Sequence, residues 1–165
     1  MEDMSDKHPD TPATRFLQKH RIAYAPMRYT YEEHGGTRVA ADALNLSEHA
    51  VIKTLVMEDD KGKPIVVLMH GDRNVAVKKL ALAIGAKLVH PCKPDIAEKH
   101  TGYQVGGTSP FGMRKPIPIF IERSILDLPL IYVNGGRRGF LVGIHAHDLM
   151  QALQPTTVSV TKDEA

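Results

Sequence analysis

Two apolar runs, VIKTLVM at 51–57 and PIVVLMH at 64–70, stand on either side of the charged turn EDDKGK, and this pairing limits the fold more than any other part of the chain. Both runs are rich in β-branched residues, and a short polar link between such runs predicts an antiparallel hairpin. Around it the hydrophobic period switches to that of helices. Thr11 and Pro12 suit an N-cap and first helical position, with Ala13, Phe16 and Leu17 on one face, so a helix is expected to about His20. Thr37 is expected to cap a second helix carrying Val39, Ala40, Ala43 and Leu44, with a further turn from Ser47. Residues 77–84 read as a helix stopped by Gly85, 94–100 as a short helix ending at Gly102, and 145–153 as a last one. Strands are expected near 22–31, 86–90, 117–121, 130–133 and 140–144, the last two joined by the turn NGGRRG. Hairpin spacings mixed with helical crossovers indicate a mixed α/β sheet.

With 165 residues and 42% apolar content, the chain suffices for one well-covered core and is short for two domains. The ordered domain is expected over 11–153, with polar tails at 1–10 and 154–165. A net charge of +2 gives weak whole-molecule attraction to nucleic acid, so any such binding needs a local patch. Cys92 is the single cysteine, which rules out an internal disulfide and a cysteine-based zinc framework. No apolar run approaches the roughly 20 residues of a membrane span. A cytoplasmic location is expected.

Three features carry candidate chemistry. The segment TGYQVGGTSPFGMRK at 101–115 places Gly106 and Gly107 before Thr108, Ser109 and Pro110. Such a loop either makes a tight turn or aims several N–H groups at one carbonyl oxygen or phosphate. Lys53 is a lone cation in an apolar strand, pointing either to solvent or into a site as an electrostatic clamp. The segment 134–139, with Asn134, Gly135, Gly136, Arg137 and Arg138, is either an exposed hairpin turn or a glycine-supported cation pair. The nine histidines offer His90 near Cys92 and His145 near His147, without a second ligand pair at an established metal spacing. Ser109 lacks the closing glycine of a nucleophile elbow, and neither a Walker A pattern nor G-x-G-x-x-G occurs. No cofactor is expected.

Taken in order, TPA from Thr11, VIKTLV from Val51, GAK from Gly85, TGYQVGGTSPFG from Thr101, IYVNGGRRG from Ile131 and the Asp148-Leu pair resemble the YbaK/EbsC family of aminoacyl-tRNA deacylases. These are freestanding relatives of the editing domain of bacterial prolyl-tRNA synthetase, and the resemblance spans about residues 11–153. It implies a single α/β domain with a strongly bent mixed sheet flanked by helices, acting on the ester between a wrong amino acid and tRNA. Lys53 takes the place of the family's essential lysine. Gly106, Gly107, Thr108, Ser109 and Pro110 match the loop that lies against the aminoacyl group and terminal adenosine. Tyr29 matches a tyrosine of the pocket wall, and Asn134, Gly135, Gly136 and Arg137 are assigned to substrate binding. Thr30 and Tyr31 depart from the usual Glu-His, and Leu141 stands where many members carry Asp, which makes the pocket more apolar.

The resemblance points to Cys-tRNA(Pro) as substrate, Ala-tRNA(Pro) second, with no metal. Expected partners are the aminoacyl-tRNA 3′ end and prolyl-tRNA synthetase, the chain itself being a monomer. Two other readings remain at this stage: a noncatalytic module that binds aminoacyl-tRNA or a synthetase, and a metal-dependent hydrolase using the histidine pairs. Cys92 is expected to be a small buried apolar residue.

Overall fold

The computed structural model describes residues 8–163. The predicted hairpin is present: β2 (Ile52–Asp59) and β3 (Pro64–His70) pair antiparallel, with Ile52 opposite His70 and Glu58 opposite Pro64. They form the middle of a five-stranded sheet in the order β4-β2-β3-β5-β8, where β4 is Val89–Pro91, β5 is Ile119–Glu122 and β8 is Thr156–Val158. β5 runs parallel to both β3 and β8, so this sheet is mixed. A second, antiparallel sheet has the order β1-β7-β6, from β1 (Ala25–Arg28), β6 (Leu130–Arg137) and β7 (Phe140–His145). A parallel bridge between Val51 and Tyr132 links the two. The expected bent sheet thus takes the form of two sheets meeting at that bridge.

Both faces of the hairpin are covered, which explains why its runs are apolar almost without interruption. On one side Ile52, Val66 and Leu68 join Ile131, Phe140 and Leu149 in the largest cluster. On the other, Met57, Ile65, Val67 and Met69 pack with Leu80 and Val160.

Among the described residues five α-helices, α1 (Pro12–Lys19), α2 (Gly36–Leu44), α3 (Val77–Ile84), α4 (Pro94–Thr101) and α5 (Ala146–Leu153), flank the sheets. At α1 the capping is reciprocal, since Thr14 N donates to Thr11 Oγ1 at 3.0 Å and Thr11 N to Thr14 Oγ1 at 2.9 Å. Gly85 and Gly102 end α3 and α4 in the left-handed conformation, as their positions in the sequence predict.

Four expectations change. Thr37 does not cap α2: the N-cap is Gly35, and the Thr37 hydroxyl is committed to Glu48 Oε2 at 2.9 Å. The NGGRRG turn is shorter than predicted, because β6 runs on to Arg137 through an irregularity between Asn134 and Arg137. The segment 154–163 is no tail, since Thr156–Val158 extends the sheet and Val160 is fully buried. Of the expected N-terminal tail, 1–7 lies outside the described residues, while Pro9 is buried and the His8 ring stacks on Phe140 with centroids 5.7 Å apart.

Leu68 has no exposed surface and Leu82 is 84% exposed, so the two leucines separate packing from propensity. Leu68→Ala is expected to lower unfolding free energy by about 2–5 kcal/mol in urea denaturation, and Leu82→Ala to change it by less than about 0.5 kcal/mol.

Candidate functional site

On the side away from β3, β2 pairs with β4 only at Met57, Glu58 and Asp59. Between that contact and the Val51–Tyr132 bridge the strand edge opens onto a cavity of about 460 Å³. Residues 52–56 form one wall, the segment from Tyr29 to Ala40 a second, and Val105, Gly106 and Thr108 a third, with Cys92, Pro94, Ala97, Asn134, Arg138 and Leu141 completing it.

Lys53 is half-buried in this wall. Its ammonium donates to Arg73 O and to Asn74 Oδ1, the latter at 3.5 Å. An ammonium carries three protons, so one is left for an acceptor in the cavity. Burial pulls the Lys53 pKa below the ordinary lysine range, and the nearby charges of Glu48 and Asp72 offset this only in part. The side chain is therefore a partly desolvated cation, which acts more strongly on a developing negative charge than one in bulk water.

The glycine loop faces Lys53's cavity and is pinned from outside by the β6–β7 turn. Asn134 Nδ2 donates to Gly106 O at 3.0 Å and Arg138 Nε donates to Val105 O at 2.9 Å. The Arg138 guanidinium also lies 4.9 Å from the centre of the Tyr31 ring, so one side chain joins two walls. Gly106 has φ +92°, and a Cβ there would come within 2.7 Å of Tyr31 Oη. The Gly107 N–H is used within the loop, donating to Gln104 O at 2.8 Å. Among the described residues, the Gly106 and Thr108 amides donate to no protein group.

Of the residues singled out in the sequence, Tyr29, Lys53, Gly106, Thr108 and Asn134 line the cavity together. The others do not. Gly107 is buried against the backbone of Arg137 and Arg138. Ser109 is fully buried, its Oγ accepting from Phe111 N at 3.2 Å, and Pro110 is buried beside it. Gly135 makes room for the Phe140 ring and Gly136 for Tyr103 and Thr11, while Arg137 is exposed away from the cavity. Of the cation pair marked in the sequence, Arg138 and not Arg137 stands in the wall, β6 being irregular between Asn134 and Arg137 just before the turn. Tyr31 and Thr54 also line the cavity without having been assigned a role. Thr54 Oγ1 is buried with no hydrogen-bond partner, a condition that calls for a bound polar group or water. Leu141, 4% exposed, gives the wall apolar surface where the resemblance would place an acid.

Neither histidine pair marked in the sequence forms a ligand cluster among the described residues; His90 Nε2 instead pairs with Glu58 Oε1 at 3.2 Å. His49, His70 and Asp72 do bring ligand atoms within 4.8 Å of one another. A metal needs lone pairs, however, and this set has few to give. His70 Nδ1 donates to His49 O at 2.7 Å and its Nε2 meets Ser124 Oγ at 2.8 Å, which leaves neither ring nitrogen open. His49 Nδ1 is held by Asp72 Oδ1 at 2.8 Å. The rings of His49 and His70 stack 3.7 Å apart, and burial lowers the His70 pKa, keeping one ring of the stack neutral. The cluster is a hydrogen-bonded brace that ties the turn at 48–50 to His70, to Asp72 in the following loop and to Ser124.

Burial and the charge of Glu58 push the Cys92 thiol up to about 11. Cys92 is thus expected to react with iodoacetamide at pH 7.5 at least roughly tenfold more slowly than free cysteine, followed by mass spectrometry. A Cβ on Gly107 would lie 2.8 Å from Arg138 N, a backbone atom that cannot yield. Gly107→Ala is therefore expected to lower stability by about 1–3 kcal/mol and to loosen the 105–108 loop, read as faster amide exchange there.

Known proteins agree with this architecture. Residues 33–152 match the family described as the aminoacyl-tRNA editing domain. The chain is 28% identical over 93% of its length to EbsC of Enterococcus faecalis, a protein proposed to be a Cys-tRNA(Pro)/Cys-tRNA(Cys) deacylase, and covers 94% of it. It is 32% identical over 97 residues to a proline–tRNA ligase of Streptococcus suis, of which it spans 16%. Among solved structures, a proposed trans-editing enzyme for prolyl tRNA synthetase superposes with a TM-score of 0.80 at 19% identity, over 94% of this chain and 99% of that one. Together with the match over most of its length, this shows that the chain belongs to the aminoacyl-tRNA editing domain family.

Proposed function

We propose that the protein hydrolyses or otherwise releases a wrongly attached amino acid from tRNA, with Cys-tRNA(Pro) the first substrate and Ala-tRNA(Pro) the second. The observation that carries this reading is that Lys53, with its half-buried ammonium, and Gly106 and Thr108, whose amides donate to no protein group among the described residues, line one cavity. An aminoacyl ester is already activated. It needs its carbonyl held and its oxyanion stabilised more than it needs a strong protein nucleophile.

In this reading the free Lys53 N–H and the Gly106 and Thr108 amides address the ester and the terminal ribose. Tyr29 and Tyr31 form the wall over the adenosine, and the Thr54 hydroxyl supplies a polar contact to the aminoacyl group. Ser109, Pro110, Gly107, Gly135 and Gly136 shape the loop and its support, and Arg137 lies on the path of the incoming tRNA. With cysteine, the substrate thiol attacks its own carbonyl, the C–O bond to the ribose breaks, and the 3′ oxygen leaves with the thiol proton. With alanine, water supplies the oxygen and the proton. Neither route calls on a metal. The apolar wall of Val39, Ala40, Val56 and Leu141 suits a small side chain, and discrimination by one such group is worth about 1–3 kcal/mol. Similarity to EbsC supports cysteine, and similarity to proline–tRNA ligases supports tRNA(Pro) and a synthetase that delivers it. We further read the chain as a cytoplasmic monomer.

The test is single-turnover deacylation of tRNA(Pro) charged with Cys, Ala, Ser or Pro, with chelator present. Wild type is expected to release Cys or Ala, and Lys53→Ala to do so more slowly by about 10²–10³-fold. A rate within a few-fold of wild type in Lys53→Ala contradicts the assignment, and release of none of the four favours a binding module. The pH dependence has a fixed sign: the active form is the ammonium, and its pKa is lowered, so enzymatic rate above the uncatalysed background falls on the alkaline side at a pH below the roughly 10.4 of free lysine.

A further inference from the structure

We infer that the C-terminal segment 156–162 holds the Lys53 ammonium in position by fastening the loop between β3 and α3, and that Asn74 is a positioning residue in that loop. The inference rests on the reading of Lys53 given above and extends it to a part of the chain with no surface on the cavity.

A lysine ammonium sits at the end of a flexible four-carbon stem, so its place is set by the acceptors that meet it. Both acceptors of Lys53 belong to the loop 71–76: Arg73 O and Asn74 Oδ1. Within its own segment that loop is held by Arg73 N donating to His70 O at 3.1 Å. At its start Gly71 O accepts from Thr37 Oγ1 at 3.2 Å and Asp72 Oδ1 meets His49 Nδ1 at 2.8 Å, whereas the backbone of 74–76 is tied to the C-terminal segment. Lys162 N donates to Asn74 O at 2.8 Å, Ala76 N donates to Val160 O at 2.7 Å, and Val75 forms an antiparallel bridge with Thr161.

The strap itself is firmly seated. β8 lies parallel to β5, the Val160 side chain is fully buried against the Leu80 and Met69 cluster, and Val160 N donates to Glu122 Oε1 at 2.7 Å. A rigid sheet edge is thereby connected through backbone hydrogen bonds to the two oxygens that aim Lys53. Without the strap, 74–76 loses these anchors and the ammonium loses a fixed pair of acceptors, while Lys53 itself and the glycine loop remain.

The experiment measures single-turnover release from Cys-tRNA(Pro), with Ala-tRNA(Pro) as second probe, for the full-length chain and for Asn74→Ala, Asn74→Asp, Val160→Ala and Lys53→Ala, each well below its melting temperature. Asn74 is exposed, so its substitution is expected to leave thermal unfolding nearly unchanged. The rate at saturating enzyme is expected to fall about 10–100-fold in Asn74→Ala, with the half-saturating concentration within about twofold, since a misplaced group costs turnover more than binding. Asn74→Asp, which keeps an acceptor oxygen, is expected to restore the rate, and Val160→Ala to lower it in the same way. If Asn74→Ala and Val160→Ala keep wild-type rates while Lys53→Ala is inactive, the strap has no such role. If Lys53→Ala is also unimpaired, the reading of Lys53 fails with it.

Discussion

Strand β2 is paired along nearly its whole length with β3, yet among the described residues its other side is bridged to β6 at Val51, just before the strand, and to β4 at Met57–Asp59, with Cys92 N donating to Val56 O at 3.1 Å. The gap left between those contacts is the cavity. An unpaired strand edge is ordinarily a liability, a row of polar groups open to any passing strand. Here it is covered by the 105–108 loop and by the segment from Tyr29 to Ala40, which turn the edge into the floor of a recess. The two-sheet arrangement follows from the same geometry, because among the described residues Val51–Tyr132 is the one β-bridge between the sheets, which otherwise meet through side chains of the shared core.

The electrostatics of the recess depend on how Lys53 is kept there. Burial works against the ammonium, and the chain answers with two oxygens from 73–74 and with the fields of Glu48 and Asp72. Those acids are themselves occupied: Glu48 accepts from Thr37, and Asp72 from His49. For Asp72, burial favours the neutral acid, but the His49 hydrogen bond and the charges of His49 and Arg73 outweigh it and hold the carboxyl below its usual range. The acids thus help to keep the lysine charged without closing a direct ion pair on it, and one ammonium proton stays available. On the opposite wall Asn134 and Arg138 do the complementary task of holding a glycine loop whose own side chains offer nothing to hold.

Much of this was legible in the sequence where the signal was local. The hairpin followed from two β-branched runs about a charged turn, and α3 and α4 ended at the glycines that the left-handed cap requires. What escaped depends on non-local pairing. Thr156–Val158 is a short polar strand that makes sense only beside β5, and nothing in PTTVSVTKDEA announces it. Thr37 has the right residue type for a cap, but Glu48 competes for its hydroxyl. In the site, Lys53, Gly106 and Asn134 stood out because a cation in an apolar strand and glycines in sequence are locally odd. Which of the paired cations Arg137 and Arg138 reaches the wall depends on the irregularity in β6, which no composition reveals, and Ser109, matched to the binding loop, proves to be buried with its Oγ accepting from Phe111 N.

The central claim is that Lys53 and the Gly106 loop hold the ester in the recess beside β2, and the most direct measurement is a crystal structure with a nonhydrolysable amide analogue of 3′-aminoacyl adenosine. The account predicts the analogue's carbonyl oxygen within hydrogen-bond distance of Lys53 Nζ or of the Gly106 and Thr108 amides, with its adenine against the Tyr29 and Tyr31 wall. An analogue bound elsewhere on the molecule, or bound in the recess with its carbonyl turned away from both, would contradict it.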